Sequence, residues 1–243
     1  GCFIQARLIE KDSDGIYKYE YYKNDPVKLI NESKDSAPLK FYDYNQFDLK
    51  ERSGLNNQII YEHQSGLQLI YKLDDANKLN LTVNNLDKDQ LSINWNVKGP
   101  RQEKNLNSGW TSERTQSYLY YAYSDGDYDY ISEPDDSESE EGVSWIAYKQ
   151  QFFSTILFSK NNSFFAKKMS INYEEEDTSY VKEMNSKLVF ENNNNESIDS
   201  LSIDFYFLAN DFTYLQSFNT GESASFDNLV PLGWGIFGWV NQY

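Results

Sequence analysis

Between residues 67 and 97 the chain alternates apolar and polar side chains with a period of two. Leu67, Leu69 and Tyr71 alternate with Gln68, Ile70 and Lys72, and Leu79, Leu81 and Val83 with Asn80, Thr82 and Asn84. Leu91, Ile93, Trp95 and Val97 alternate strictly with Ser92, Asn94 and Asn96. This period belongs to strands with one buried face. The turn-forming stretches DDAN and NNLDKD separate the three runs, which therefore read as successive antiparallel strands.

Strand-like runs also occupy residues 3–8 and 16–22, joined by the turn sequence DSDG, with breaks at NDP and DSAP further on. Downstream, residues 117–124, 143–160, 163–174 and 185–191 read as strands, and Leu201, Ile203, Phe205 and Phe207 alternate again. In residues 143–160, Trp145, Ala147 and Lys149 face one way and Ile146 and Tyr148 the other. Apolar side chains on both faces predict a central strand. Phe212 and Leu215 have helical spacing within residues 209–218, where Asn210 or Asp211 supplies a cap. The order of elements, many short strands followed by one or two short helices, predicts a sandwich or barrel. Repetition at a fixed period is lacking, which disfavours propellers and solenoids.

Composition sharpens this picture. Tyr (20) and Phe (15) are abundant in a chain of 243 residues, and aromatic residues pack well across strands. The length suffices for one large β domain with a real core. Against 22 Lys and Arg stand 38 Asp and Glu, a formal charge of −16, which argues against nucleic acid and anionic lipid as partners. Residues 125–141 carry many of these acids together with Gly126 and Pro134, so they are expected to form a mobile acidic loop. The apolar stretch 229–240 is too short to span a bilayer. A chain that stops inside such a tryptophan-bearing segment is expected to continue beyond it.

Candidate chemistry is sparse. His63 is the single histidine and lies in the turn-like YEHQSG, and the single cysteine is Cys2. Neither a conventional zinc site nor a histidine-based triad is expected. The sequence from Asp12 to Gly15 resembles the front of a calcium loop, but Lys23 stands where the loop needs a glutamate. The glycines of GWGIFG lack the lysine and hydroxyl residue of a nucleotide loop. No catalytic, metal or cofactor residue is predicted. Trp234, Phe237 and Trp239 are instead the residue types that settle at a membrane–water interface.

Two segments carry a family resemblance. VPLGWGIFGWVNQY, residues 230–243, resembles the junction in the YidC/Oxa1/Alb3 membrane insertases, and most closely the YidC proteins of the Bacteroidetes. WIAYKQQFFSTILFS, residues 145–159, resembles the tryptophan-started strand of that family. The resemblance implies an all-β fold, a β-supersandwich similar to galactose mutarotase with short C-terminal helices. It implies a periplasmic domain over residues 1–229, helical from about 209 to 229, and the start of an interfacial or transmembrane junction at 230–243. Trp145, Gln150, Gln151, Phe152 and Phe153 would then belong to the core strand and its packing. Pro231, Gly233, Trp234, Phe237 and Trp239 would form the membrane junction. The implied role is non-enzymatic: supporting membrane-protein insertion at the periplasmic face of the bacterial inner membrane, as an isolated monomer without cofactor. Sec translocon accessory proteins and nascent membrane proteins are the implied partners. A carbohydrate-binding or carbohydrate-processing sandwich is the alternative, since exposed aromatics over a sheet stack on sugars.

Overall fold

The computed structural model describes residues 4–11, 17–23, 28–31, 40–41, 47–53, 57–74, 77–86, 90–101, 112–134, 136–159, 162–174, 176, 180–191, 200–219 and 224–231. The described chain is built almost entirely from antiparallel strands. β1 (Ile4–Lys11) and β2 (Tyr17–Lys23) form a separate hairpin. The remaining strands are β3 (Lys28–Asn31), β4 (Lys40–Phe41), β5 (Phe47–Ser53), β6 (Gln58–His63), β7 (Gln68–Asp74), β8 (Lys78–Asn84) and β9 (Gln90–Pro100). They continue as β10 (Tyr118–Tyr123), β11 (Tyr128–Ile131), β12 (Ser137–Lys149), β13 (Phe153–Phe158), β14 (Phe164–Asn172), β15 (Tyr180–Glu191) and β16 (Ser200–Ala209). Their order is β4-β3-β9-β15-β14-β12-β13-β16-β8-β7-β6-β5, with β10 against β12 and β11 outside β10.

β12 belongs to two layers. Its first half pairs with β14, from Ser137↔Ser170 to Val143↔Phe164. Its second half, Trp145 to Lys149, lies between β13 and β10. Register shifts mark the change of partner, and Gly142 there adopts φ +74°, the left-handed region that glycine enters without a Cβ clash.

The strand order would hold β9 and β12 roughly 14 Å apart in a flat sheet, three spacings of about 4.8 Å. Instead the Trp95 ring of β9 stacks on Tyr148 of β12 at 4.0 Å and 18°. Trp95 also meets Phe205 of β16 edge-on at 5.8 Å. The continuous sheet has therefore folded over on itself into a sandwich. The Tyr148 hydroxyl donates to Trp95 O and lies 2.7 Å from Ser186 Oγ, so the buried hydroxyl is satisfied. Burial pushes the ionisation of this hydroxyl upward.

The predicted alternation holds where it was clearest. Leu91, Ile93, Trp95 and Val97, with Leu69, Leu81 and Val83, enter the inter-sheet core with Ile146, Tyr148, Ile203 and Phe205. A second core lies on the opposite face of β10, β12, β13 and β16, where Trp145, Ala147, Ile156, Phe158 and Leu208 pack beneath the C-terminal segment. The central-strand reading of residues 145–149 thus holds on both faces. The acidic-loop expectation fails. Residues 125–141 are not a loop: they contribute β11 and the first half of β12. Alternation explains this, because Glu138 and Glu140 turn towards β10 and accept the hydroxyls of Tyr121 and Tyr123 at 2.6 and 2.8 Å. The acids are therefore spread along a paired strand rather than massed in a self-repelling loop.

Candidate functional site

The C-terminal segment is anchored to the outer face of the sheet. It begins with α1 (Phe212–Gln216), whose cap is Asp211: its carboxylate accepts the N–H of Tyr214 at 2.7 Å. A 3-10 turn, Phe226–Leu229, follows. Phe226 is fully buried and meets three rings: Trp145 at 5.7 Å, Phe158 at 5.9 Å and Tyr206 at 5.3 Å. The Asn219 amide oxygen accepts the N–H of Phe226, and its Nδ2 donates to Asp227, which fixes the turn that presents the ring. Leu215, Ala224 and Leu229 complete this cap.

A second cluster closes one end of the sandwich. Arg114, Lys149 and Lys182 are all buried. Lys182 Nζ donates to Ser117 O at 2.8 Å and Ser132 O at 2.6 Å, and Lys149 Nζ to Gln116 O at 2.9 Å. Arg114 Nε donates to Val181 O at 3.0 Å. The Tyr118 ring receives Lys149 at 5.2 Å, and the Tyr173 ring receives Arg114 at 4.6 Å. The cations thus tie the segment before β10 to the end of β12 and the start of β15. Burial lowers both lysines to about 8, with Glu133 raising and Arg114 lowering Lys182 further.

The residues singled out in the sequence fall into different places. Trp145 is buried beneath Phe226, in the second core. Gln150, Gln151 and Phe152 do not continue that strand; they make the turn between β12 and β13. Phe152 and Phe153 are half-exposed, at 48% and 49%, so the core position expected for them is corrected. The reason is tertiary. Asn210 Nδ2 donates to Gln150 O at 2.6 Å, and Asn210 N donates to Phe152 O at 2.8 Å, clamping a turn that has no glycine or proline. Gln150 lies across the end of β9, where a Cβ on Gly99 would come within 2.9 Å of its side-chain nitrogen. Pro231 is exposed, and Gly233, Trp234, Phe237 and Trp239 lie outside the described residues. His63 ends β6, and its Nδ1 accepts the N–H of Ser65 at 3.0 Å within the turn to β7. Among the described residues no acid, histidine and cysteine cluster is arranged to hold a metal, and no helix is long and apolar enough to cross a membrane.

A buried ring hub beneath a C-terminal cap, a cation-tied end and a sheet with two apolar faces make a scaffold with a docked C-terminal segment. Comparison with known proteins places that scaffold. The membrane protein insertase YidC of Parabacteroides distasonis is 33% identical over 159 residues, 63% of this chain and 24% of the relative. The YidC of Bacteroides fragilis is 26% identical over 248 residues, 90% of this chain and 38% of its own length. This chain is related to Bacteroidetes-type YidC. The Azobacteroides pseudotrichonymphae protein of the same name is 25% identical over 93% of this chain and 40% of its own. The chain therefore spans between a quarter and two fifths of these curated relatives. No family profile matches it. Among solved structures, a GH36 α-galactosidase from Geobacillus stearothermophilus in complex with raffinose aligns over 97% of this chain and 33% of its own. Its TM-score is 0.35 at 11% identity, a likeness too low to carry an argument.

Two outcomes follow from this geometry. Trp145→Ala empties the space beneath Phe226 and is expected to cost about 3–5 kcal/mol in urea-monitored unfolding; a loss below about 1 kcal/mol would contradict the buried placement. Stability is also expected to rise from pH 8 towards pH 10. In this window the unfolded chain holds its lysine protons, with the ordinary value at 10.5, while folded Lys149 and Lys182 have released theirs near 8. Above pH 10 the trend reverses, because burial and then the Glu140 hydrogen bond raise Tyr123 to about 12 from its ordinary value of 10.0, and burial raises Tyr120 and Tyr121 as well. Chemical unfolding across this range checks both limbs. The rise should vanish in the Lys149→Met/Lys182→Met variant while the fall persists; a flat profile in the parent would contradict the assignment.

Proposed function

We propose that this chain is the non-catalytic periplasmic domain of a YidC-type insertase, supporting insertion and folding of membrane proteins at the bacterial inner membrane. The domain is assigned to residues 1–229 and the start of the membrane junction to residues 230–243. The observation that carries this reading is the extent of the relationship. About nine tenths of the chain aligns with proteins named membrane protein insertase YidC, and it occupies well under half of their length. The anchored C-terminal cap supports it: Phe226 and Leu229 fix the backbone immediately before the apolar, tryptophan-bearing stretch. A rigid cap at that point transmits the position of the sandwich to whatever follows Val230. In this reading Gly233, Trp234, Phe237 and Trp239 sit at the bilayer interface, where amphipathic rings are favoured. Nascent membrane proteins and Sec accessory components are the partners.

The test is growth complementation in a host depleted of its own insertase. The full-length protein is compared with a variant that lacks the sandwich and keeps Val230 onward. Slower growth and impaired insertion, at normal levels of the shortened protein, are expected. Unchanged growth and insertion would contradict a supporting role for the sandwich.

A further inference from the structure

β10 and β11 carry a row of tyrosine rings on the outer face of the sheet. Tyr120 and Tyr130 lie 5.2 Å apart with planes tilted by 36°, Tyr120 and Tyr128 lie 6.2 Å apart, and Tyr118 meets Tyr130 edge-on at 5.3 Å. Tyr120 is buried at the base of the row, but Tyr128 and Tyr130 are 47% and 46% exposed. The hydrophobic effect does not explain two large rings held in register at the surface. Cross-strand pairing holds them there, since Tyr120↔Tyr130 and Ala122↔Tyr128 are direct partners.

Two further observations say what the row fits. Its inner end already binds cations: Lys149 and Lys182 lie 5.2 and 5.9 Å from the Tyr118 ring. Among the described residues no lysine or arginine lies over Tyr128 or Tyr130. The chain on either side of β11 is acidic. Asp125 and Asp127 form the turn leading into β11, and Glu133 follows the strand. Negative ring faces on a chain of charge −16, in a hairpin whose turn carries Asp125 and Asp127, complement a cationic side chain. The edge of β11 is less suited to accepting another strand. Asp129 Oδ1 accepts the N–H of Tyr130 at 2.7 Å, occupying a donor that a new strand would need. The ring face, and not the strand edge, is what this hairpin offers.

We infer that the Tyr128–Tyr130 face is a docking surface for an arginine- or lysine-bearing polypeptide segment, whose cations lie over the rings and against the flanking carboxylates. This surface is independent of the insertase reading, because it rests on this chain's own residues and is tested on this chain alone.

The test measures binding of a fluorescein-labelled Arg-Gly-Arg-Gly-Arg-Gly peptide to the 243-residue chain by fluorescence anisotropy, beside a Glu-for-Arg peptide of equal length and a neutral maltooligosaccharide. Saturable binding of the arginine peptide alone is expected. The exposed pair Tyr128→Ala/Tyr130→Ala should weaken it about tenfold, while Tyr128→Phe/Tyr130→Phe retains it, since the ring face and not the hydroxyl binds the cation. Asp125→Asn/Asp127→Asn should weaken it and flatten its salt dependence. Melting temperatures equal to the parent's establish that the variants are folded. Should the alanine pair unfold, the phenylalanine pair and a tyrosine-edge chemical-shift titration of the parent read the same surface. Undiminished binding by the alanine pair would overturn the proposal, leaving only diffuse attraction to an acidic chain. Loss of binding in the phenylalanine pair, absence of peptide binding, or preference for the oligosaccharide would overturn it equally.

Discussion

The stack of Trp95 on Tyr148 is the contact on which the architecture depends. It joins two strands that the sheet order keeps far apart, so it exists only when the sheet has folded over. What makes the fold-over possible is that β12 changes partners part-way along its length. Glycine at position 142 lets the backbone bulge at the change, and the strand emerges with both faces apolar. Ile146 and Tyr148 then fill the space between the layers, and Trp145 and Ala147 fill the space beneath the C-terminal cap. One strand therefore serves both cores, and damage on either face is felt by both.

The polar groups follow the same logic. Buried charge is tolerated where backbone carbonyls surround it, and Lys149, Lys182 and Arg114 are used in this way to close one end of the sandwich. The acidic residues are kept on the strand surface, where Glu138 and Glu140 accept tyrosine hydroxyls. The cap is held by a ring hub rather than by charge. Its packing fixes the backbone at Phe226–Leu229, and this is the physical content of the proposed link between sandwich and membrane.

Much of the fold was legible in the sequence because strand period is a local property. The alternation through Leu91–Val97 and Leu201–Phe205 names the buried face directly, and the two-faced pattern of residues 145–149 marks the central strand. The helix cap was legible as one of two adjacent residues, Asn210 or Asp211, and Asp211 is the one that caps. Failures came where distant residues decide the outcome. The turn at Gln150–Phe152 has no turn-forming residue and is made by Asn210, some sixty positions away. The strand character of Glu138 and Glu140 depends on tyrosines across the sheet. The burial of Lys149 and Lys182 leaves no mark in sequence, since lysine is ordinarily a surface residue. Of the tyrosine row only Tyr118 and Tyr120 were legible on a strand, while Tyr128 and Tyr130 fell in the expected acidic loop, because the pairing that aligns Tyr120 with Tyr130 is set by the hairpin.

The claim at the centre is that one strand binds both layers and the C-terminal cap into a single cooperative unit. Native-state hydrogen exchange read by mass spectrometry tests it most directly. Peptides covering Trp95, Trp145 and Phe226 are followed at increasing sub-denaturing urea. Convergence of all three on one opening free energy, equal to that of global unfolding, is the predicted result. A cap or one layer that opens at distinctly lower free energy while the rest stays protected would contradict the account.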